Sequence, residues 1–197
     1  MKRAFDFLVA AVALLVLFPV FFVLGLLVKL DSRGPVFYRQ ERVGRHLTIF
    51  KLWKFRSMRT DADRQAAITI GERDPRITRV GYWLRKFKLD ELPQLINVLL
   101  GDMSLVGPRP EVAKFVHLYT PEQKKVLTIR PGITDWASIQ FRNENALLEG
   151  KPDPIAYYVS EIMPVKLALN LQYVEKRSFW VDLTILFQTF RALFRKG

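Results

Sequence analysis

Phe7-Leu-Val-Ala-Ala-Val-Ala-Leu-Leu-Val-Leu-Phe-Pro19-Val-Phe-Phe-Val-Leu-Gly25-Leu-Leu-Val28 is a run of twenty-two residues without a charge. At about 1.5 Å per residue it makes roughly 33 Å of helix, enough to reach across a bilayer. Lys2 and Arg3 ahead of it resemble a secretory leader, but the apolar run is too long and no small-x-small cleavage site follows. Cations flank both ends, Lys2 and Arg3 before it and Lys29 and Arg33 after it, so the positive-inside rule assigns no orientation. Pro19, past the middle, removes a backbone donor and crowds the preceding turn. A straight span and a re-entrant helix kinked near Pro19 both satisfy these facts, and the balanced flanks favour the re-entrant form. Residues 1–30 are therefore assigned to the membrane and 31–197 to a domain outside it.

Outward from this segment, Asp31, Ser32, Gly34 and Pro35 make a turn, after which the composition becomes mixed and basic. Two runs rich in β-branched and aromatic residues, 36–43 and 48–58, flank Gly44, Arg45 and His46 and predict a β-hairpin, with His46 a turn residue. Helices are predicted over 61–68, 80–87 and 92–100, the last stopping at Gly101, with a loop around Gly71, Asp74 and Pro75. Further helices are expected over 153–169 and 179–194. The last carries Phe179, Trp180, Leu183, Ile185, Phe187 and Phe190 and is followed by Arg195 and Lys196. That pattern suits either an interfacial amphipathic helix or a core helix. The fold class is α+β, predominantly helical with a small β-hairpin.

The 197 residues leave room for one core. Half of them are apolar, yet the formal net charge is +12. That combination calls for an anionic partner: nucleic acid, an anionic lipid surface or a phosphorylated substrate. There is no cysteine, which excludes a disulfide framework, a thiol nucleophile and a thiolate metal site.

Chemistry concentrates at Leu89-Asp90-Glu91-Leu92-Pro93-Gln94-Leu95, where two adjacent carboxylates open a helix. Pro93 suits a first turn, and Asp90 fits there as a helix cap. Arg85, Lys86 and Lys88 lie just upstream, so a phosphate could be held beside an ionised carboxylate. Positive surroundings are expected to lower the Asp90 pKa, and magnesium at Asp90 and Glu91 would offset repulsion from an anionic substrate. In the second hairpin strand Lys54 and Arg56 alternate onto one face and form a phosphate-facing edge, or else a solvated one. In Gly101-Asp-Met-Ser-Leu-Val-Gly-Pro-Arg-Pro-Glu111 two prolines fix the backbone around Arg109, presenting a single guanidinium suited to bidentate phosphate recognition. Arg130-Pro-Gly-Ile-Thr-Asp-Trp136 reads as a tight turn into an extended stretch.

Taken in order, Lys54-Phe-Arg-Ser-Met58, Arg76-Ile-Thr-Arg-Val-Gly81, Leu84-Arg85, Leu89-Asp-Glu-Leu-Pro-Gln94, Asn97-Val98, Gly101-Asp-Met-Ser104, Val106-Gly-Pro-Arg-Pro110 and Arg130-Pro-Gly-Ile-Thr134 resemble the bacterial sugar transferases, the monotopic phosphoglycosyl transferases. The resemblance covers nearly the whole chain. It implies a re-entrant membrane helix, a catalytic domain on the cytoplasmic face of the bacterial inner membrane, and magnesium. It also implies ping-pong transfer of a phosphosugar from a nucleotide diphosphate sugar, a uridine one by analogy, to polyprenyl (undecaprenyl) phosphate, the first membrane step of polysaccharide and glycoconjugate biosynthesis. By similarity Asp90 is the covalent nucleophile and Glu91 completes the dyad, while Arg85, Arg109 and Lys54 match family residues near the phosphates. Asp135 departs from the glycine that many relatives carry, and Lys88 replaces a small hydroxyl residue. Larger relatives carry further spanning helices before this unit, so the chain resembles the minimal form. A homo-oligomer is compatible with it. A membrane-tethered binding protein without catalysis, or a scaffold for glycan assembly, would share the high charge; the absence of a helix-turn-helix or of RNA-type aromatic platforms argues against nucleic acid.

Overall fold

In the computed structural model, which describes residues 1–60, 71 and 74–194, the chain is predominantly helical with two small sheets. The predicted helix over 61–68 lies outside the described residues, as do Arg195 and Lys196. The apolar segment is one helix, α1 (Lys2–Asp31), continuous through Pro19. One side of α1 is packed. Ala10 joins Leu95, Val98, Met103 and Val106 in one core cluster, and Val28 joins Phe55 and Leu84 in another. The other side leaves Leu8, Leu15, Val16, Phe18, Phe22 and Val23 exposed, a contiguous apolar face of the kind that marks an interaction surface.

Both ends of α1 are tied to the same body by polar contacts. At the start, Lys2 pairs with Asp182, Arg3 donates to the carbonyls of Val98 and Leu99, and Asp6 accepts from Ser104 Oγ at 2.7 Å. At the finish, Asp31 accepts from the Val80 N–H at 3.0 Å. The Arg56 guanidinium donates to the carbonyls of Val28 (3.1 Å), in the last turn of α1, and of Ser32 (2.6 Å) and Arg33 (3.0 Å), just past its end.

Strands β1 (Phe37–Val43) and β2 (Ile49–Phe55) form the predicted antiparallel hairpin, with Val43 opposite Ile49 and Phe37 opposite Phe55. His46 is a turn residue, at φ 54°. Phe50 and Leu52 are buried, and Lys54 continues their face of the strand inward. Helix α2 (Arg79–Lys86) follows, its first turn capped by Thr78 Oγ1, which accepts from the Gly81 N–H at 3.0 Å.

Helix α3 (Gln94–Leu100) ends at Gly101 as expected, with φ 94°. Its start differs from expectation. Residues Leu89–Glu91 make a separate 3-10 turn entered through Lys88 at φ 57°, and Asp90 caps no α3 amide, because Pro93 and not Asp90 immediately precedes the helix.

The sequence reading did not pair the two proline-glycine motifs. Strands β3 (Ser104–Val106) and β4 (Gly132–Thr134) run parallel, with Ser104 opposite Gly132 and Val106 opposite Thr134. Just past β3 the backbones approach so closely that a Cβ on Gly132 would sit 2.0 Å from the Gly107 nitrogen. Only glycine permits that approach.

The remaining helices are α4 (Ala113–Val116), α5 (Trp136–Gln140), α6 (Glu144–Leu148), α7 (Pro154–Tyr157), α8 (Met163–Lys176) and α9 (Phe179–Phe194). The helix expected over 153–169 is capped by Asp153, passes through a wider π-type turn at Tyr158–Ile162, and runs on to Lys176. Helix α9 has the predicted bounds, with one side packed and the other exposed. Ile185 is fully buried, whereas Phe179, Trp180, Phe187 and Phe190 are exposed.

Candidate active site

Asp90 and Glu91 are neighbours in sequence with opposite surroundings. Glu91 Oε1 accepts from Lys54 Nζ at 3.2 Å and from Arg109 Nη2, and Glu91 Oε2 accepts from Arg109 Nη1 at 3.0 Å. This is a bidentate fork reinforced by a lysine. Burial pushes the Glu91 carboxyl up, but Arg109 and Lys54 outweigh it and hold the group well below the ordinary carboxylate range.

Asp90 is 5% exposed and accepts no hydrogen bond from a described residue. Burial first, and then the charge of Glu91, push its pKa above the ordinary aspartate value, against the pull of Lys54, Arg85 and Lys88. The expectation that basic surroundings would lower the Asp90 pKa is therefore corrected. The lowered carboxyl is Glu91, because it takes the direct contacts of Arg109 and Lys54.

Asp90 lines an open cleft of about 1720 Å³ whose described walls carry eleven Lys and Arg side chains against four Asp and Glu. Lys54 enters from β2, Arg85 from α2, Lys88 from the turn after it, and Arg109 from the Pro108–Pro110 loop. The structure thus gathers Lys54, Arg85, Asp90, Glu91 and Arg109 at one wall system. Arg56 also borders the cleft, but its guanidinium is engaged by the carbonyls at the end of α1 and not by the carboxylate pair.

Two further buried polar residues bond to the elements that carry this constellation. Asn97, fully buried, accepts from the Trp53 N–H at 2.9 Å and donates to the Lys51 carbonyl at 2.8 Å, locking α3 to β2. A polar amide between Leu95 and Val98 on a helix was the signal available in sequence. Asp135, also fully buried, accepts from the Arg109 N–H at 3.2 Å and from the Ser138 N–H at 2.6 Å. Nothing in the local sequence places it next to Arg109, twenty-six residues away.

Among the described residues no group of three or more His, Asp or Glu is placed to hold a metal. Magnesium commonly takes one or two carboxylates and completes its shell with water and substrate phosphate. Asp90, without a hydrogen-bonding partner among the described residues, and Glu91, whose Oε2 accepts only one of these bonds and keeps a second lone pair, fit an ion shared with a phosphorylated ligand.

Residues 1–196 match the family model described as bacterial sugar transferase. The chain belongs to that family. It is 40% identical over 197 residues to undecaprenyl-phosphate glucose phosphotransferase of Komagataeibacter xylinus, covering 96% of this chain and 35% of that one. It is 39% identical over 193 residues to UDP-glucose:undecaprenyl-phosphate glucose-1-phosphate transferase of Escherichia coli, covering 96% of this chain and 39% of that one. The chain thus spans well under half the length of these two curated relatives. It is also 40% identical over 204 residues to the exopolysaccharide production protein PSS of Rhizobium leguminosarum bv. phaseoli, covering 100% of this chain and 96% of that one. In this bacterial sugar transferase the matched region includes α1, both carboxylates and the Arg109 loop.

Proposed function

We propose that this sugar transferase moves a phosphosugar from a uridine diphosphate sugar to undecaprenyl phosphate, through a covalent intermediate on Asp90. The supporting observation is the Asp90 carboxylate itself: nearly buried, unpartnered among the described residues, and facing a cleft rich in cations. A carboxylate whose pKa is raised by its site is also more basic, and more nucleophilic, than a free one. The names of the relatives above supply the acceptor class and the nucleotide sugar.

In the first step an Asp90 oxygen attacks the sugar-linked phosphorus. The phosphorus–oxygen bond to the nucleotide breaks, UMP leaves, and an aspartyl phosphosugar remains. In the second step a phosphate oxygen of the polyprenyl carrier attacks the same phosphorus. The bond to Asp90 breaks, the carboxylate is regenerated, and polyprenyl diphosphosugar departs. Bound magnesium, held by Asp90 and Glu91, would supply charge neutralisation between carboxylate and phosphate. Lys54, Arg85 and Arg109 spread the phosphoryl charge, and Glu91 keeps Lys54 and Arg109 in place.

The acceptor is a lipid, so the cleft must sit at a membrane. The exposed apolar face of α1 supports this, and the attachment of both its ends to one body favours a helix that enters and leaves on the same, cytoplasmic, side of the inner membrane over a free-standing span. The exposed aromatics of α9 suit an interfacial position. Purified protein with undecaprenyl phosphate, magnesium and a panel of UDP-sugars should release UMP, and donor alone should leave a phosphosugar adduct visible by intact mass. Turnover without an adduct, and unaffected by Asp90→Asn, would overturn the covalent route.

A further inference from the structure

Arg109 can hold Glu91 with two parallel hydrogen bonds only if its backbone is fixed, since a loop free to shift by an ångström would break the fork. Three contacts fix it. The β3–β4 ladder ends next to it, with the Gly107 N–H donating to the Thr134 carbonyl at 3.0 Å. The Gly132 N–H donates to the Pro108 carbonyl at 3.0 Å. The third is a side chain: Asp135 Oδ2 accepts from the Arg109 N–H itself, while Asp135 Oδ1 accepts from the Ser138 N–H and so anchors the carboxylate to the first turn of α5.

Asp135 is 0% exposed, and the hydrogen bonds that its two carboxylate oxygens accept both come from backbone N–H groups. An ordinary helix cap needs one oxygen and tolerates exposure. Here the second oxygen is spent on the residue that grips the dyad. Proline at 108 and 110 leaves Arg109 as the only one of these three loop residues with an N–H to donate.

We propose that Asp135 is a positioning residue for transfer, acting through the Arg109 backbone to hold the Arg109–Glu91 fork in register beside Asp90. This rests on the proposed sugar phosphate transfer, whose own test is wild-type turnover. The chain from Asp135 to Asp90 runs through Arg109 and Glu91, so the contribution of Asp135 must vanish once the Arg109 side chain is gone.

A double-mutant cycle reads this directly. Asp135→Ala is expected to lower kcat/KM by about 10- to 100-fold, the range for losing a charge-assisted hydrogen bond. Asp135→Asn, which keeps one acceptor but turns an amide towards the other N–H, should fall between it and wild type. In an Arg109→Ala background, Asp135→Ala and Asp135→Asn should cause no further loss of activity, although both should still lower Tm by removing the α5 cap. If the activity losses multiply in the double variants, Asp135 acts only on the fold and the proposal is overturned. Should Asp135→Ala not accumulate as folded protein, the cycle with Asp135→Asn decides the same question.

Discussion

Replacing each member of the carboxylate dyad with its amide should move stability in opposite directions. Glu91 is bonded to Arg109 and Lys54, with side-chain exposures of 15%, 32% and 17% respectively. Removing one partner of a buried ion pair costs about 3–5 kcal/mol, because the surviving charge is left desolvated. Partial access of water to Arg109, and the one acceptor that glutamine keeps, reduce the expected loss for Glu91→Gln to about 2–3 kcal/mol. For a chain of this length that is a fall in Tm of roughly 4–12 °C. Asp90 has no hydrogen-bonding partner among the described residues to orphan, and its raised pKa means that the folded state disfavours its charge. Asp90→Asn should therefore leave Tm unchanged or raise it by a few degrees, while abolishing adduct formation. The linkage signs agree. The depressed Glu91 pKa contributes stability above its ordinary value of 4.5 that is lost as pH falls through the folded value, whereas charged Asp90 costs stability at neutral pH and protonation removes that cost. Thermal unfolding in detergent, followed by circular dichroism, checks both variants. A drop for Asp90→Asn as large as that for Glu91→Gln would refute the division of roles.

Further outcomes follow from the same geometry. The acid limb of kcat/KM should lie above the ordinary aspartate value of 3.8, with activity falling as pH drops through the raised Asp90 pKa, and the limb should move lower in Glu91→Gln because Glu91 helps to raise it; a pH–rate profile of both proteins measures this. Arg109→Lys removes the two-pronged grip and should lower kcat/KM by about 10- to 100-fold even though the charge is kept, as steady-state kinetics would show. Gly132→Ala puts a Cβ 2.0 Å from the Gly107 nitrogen and should destabilise by about 1–3 kcal/mol or more, read as a fall in Tm. Arg56→Met strips the end of α1 of its donors and should lower Tm by several degrees, with adduct formation retained by the protein that remains folded.

Local signals carried much of this protein. The charge-free run of residues 7–28 made α1, alternating residues made the hairpin, Gly101 ended α3, and the bounds of α9 came from its own apolar pattern. Each depends on nearest neighbours and periodicity, which the sequence displays directly. The motifs of the family likewise marked Asp90, Glu91 and Arg109 before any geometry was available. Tertiary structure decided what those residues do to one another. Asp90 looked like a helix cap in a cationic site, yet the fold sends Arg109 and Lys54 to Glu91 and leaves Asp90 buried and unpartnered among the described residues. Arg56 shares a strand face with Lys54 in sequence, and only the fold brings its guanidinium to the carbonyls at the end of α1. The β3–β4 pairing and the contact of Asp135 with Arg109 join segments about twenty-six residues apart. Burial and charge pairing are properties of three-dimensional neighbours, so pKa order and side-chain partnership are set only once distant segments have packed.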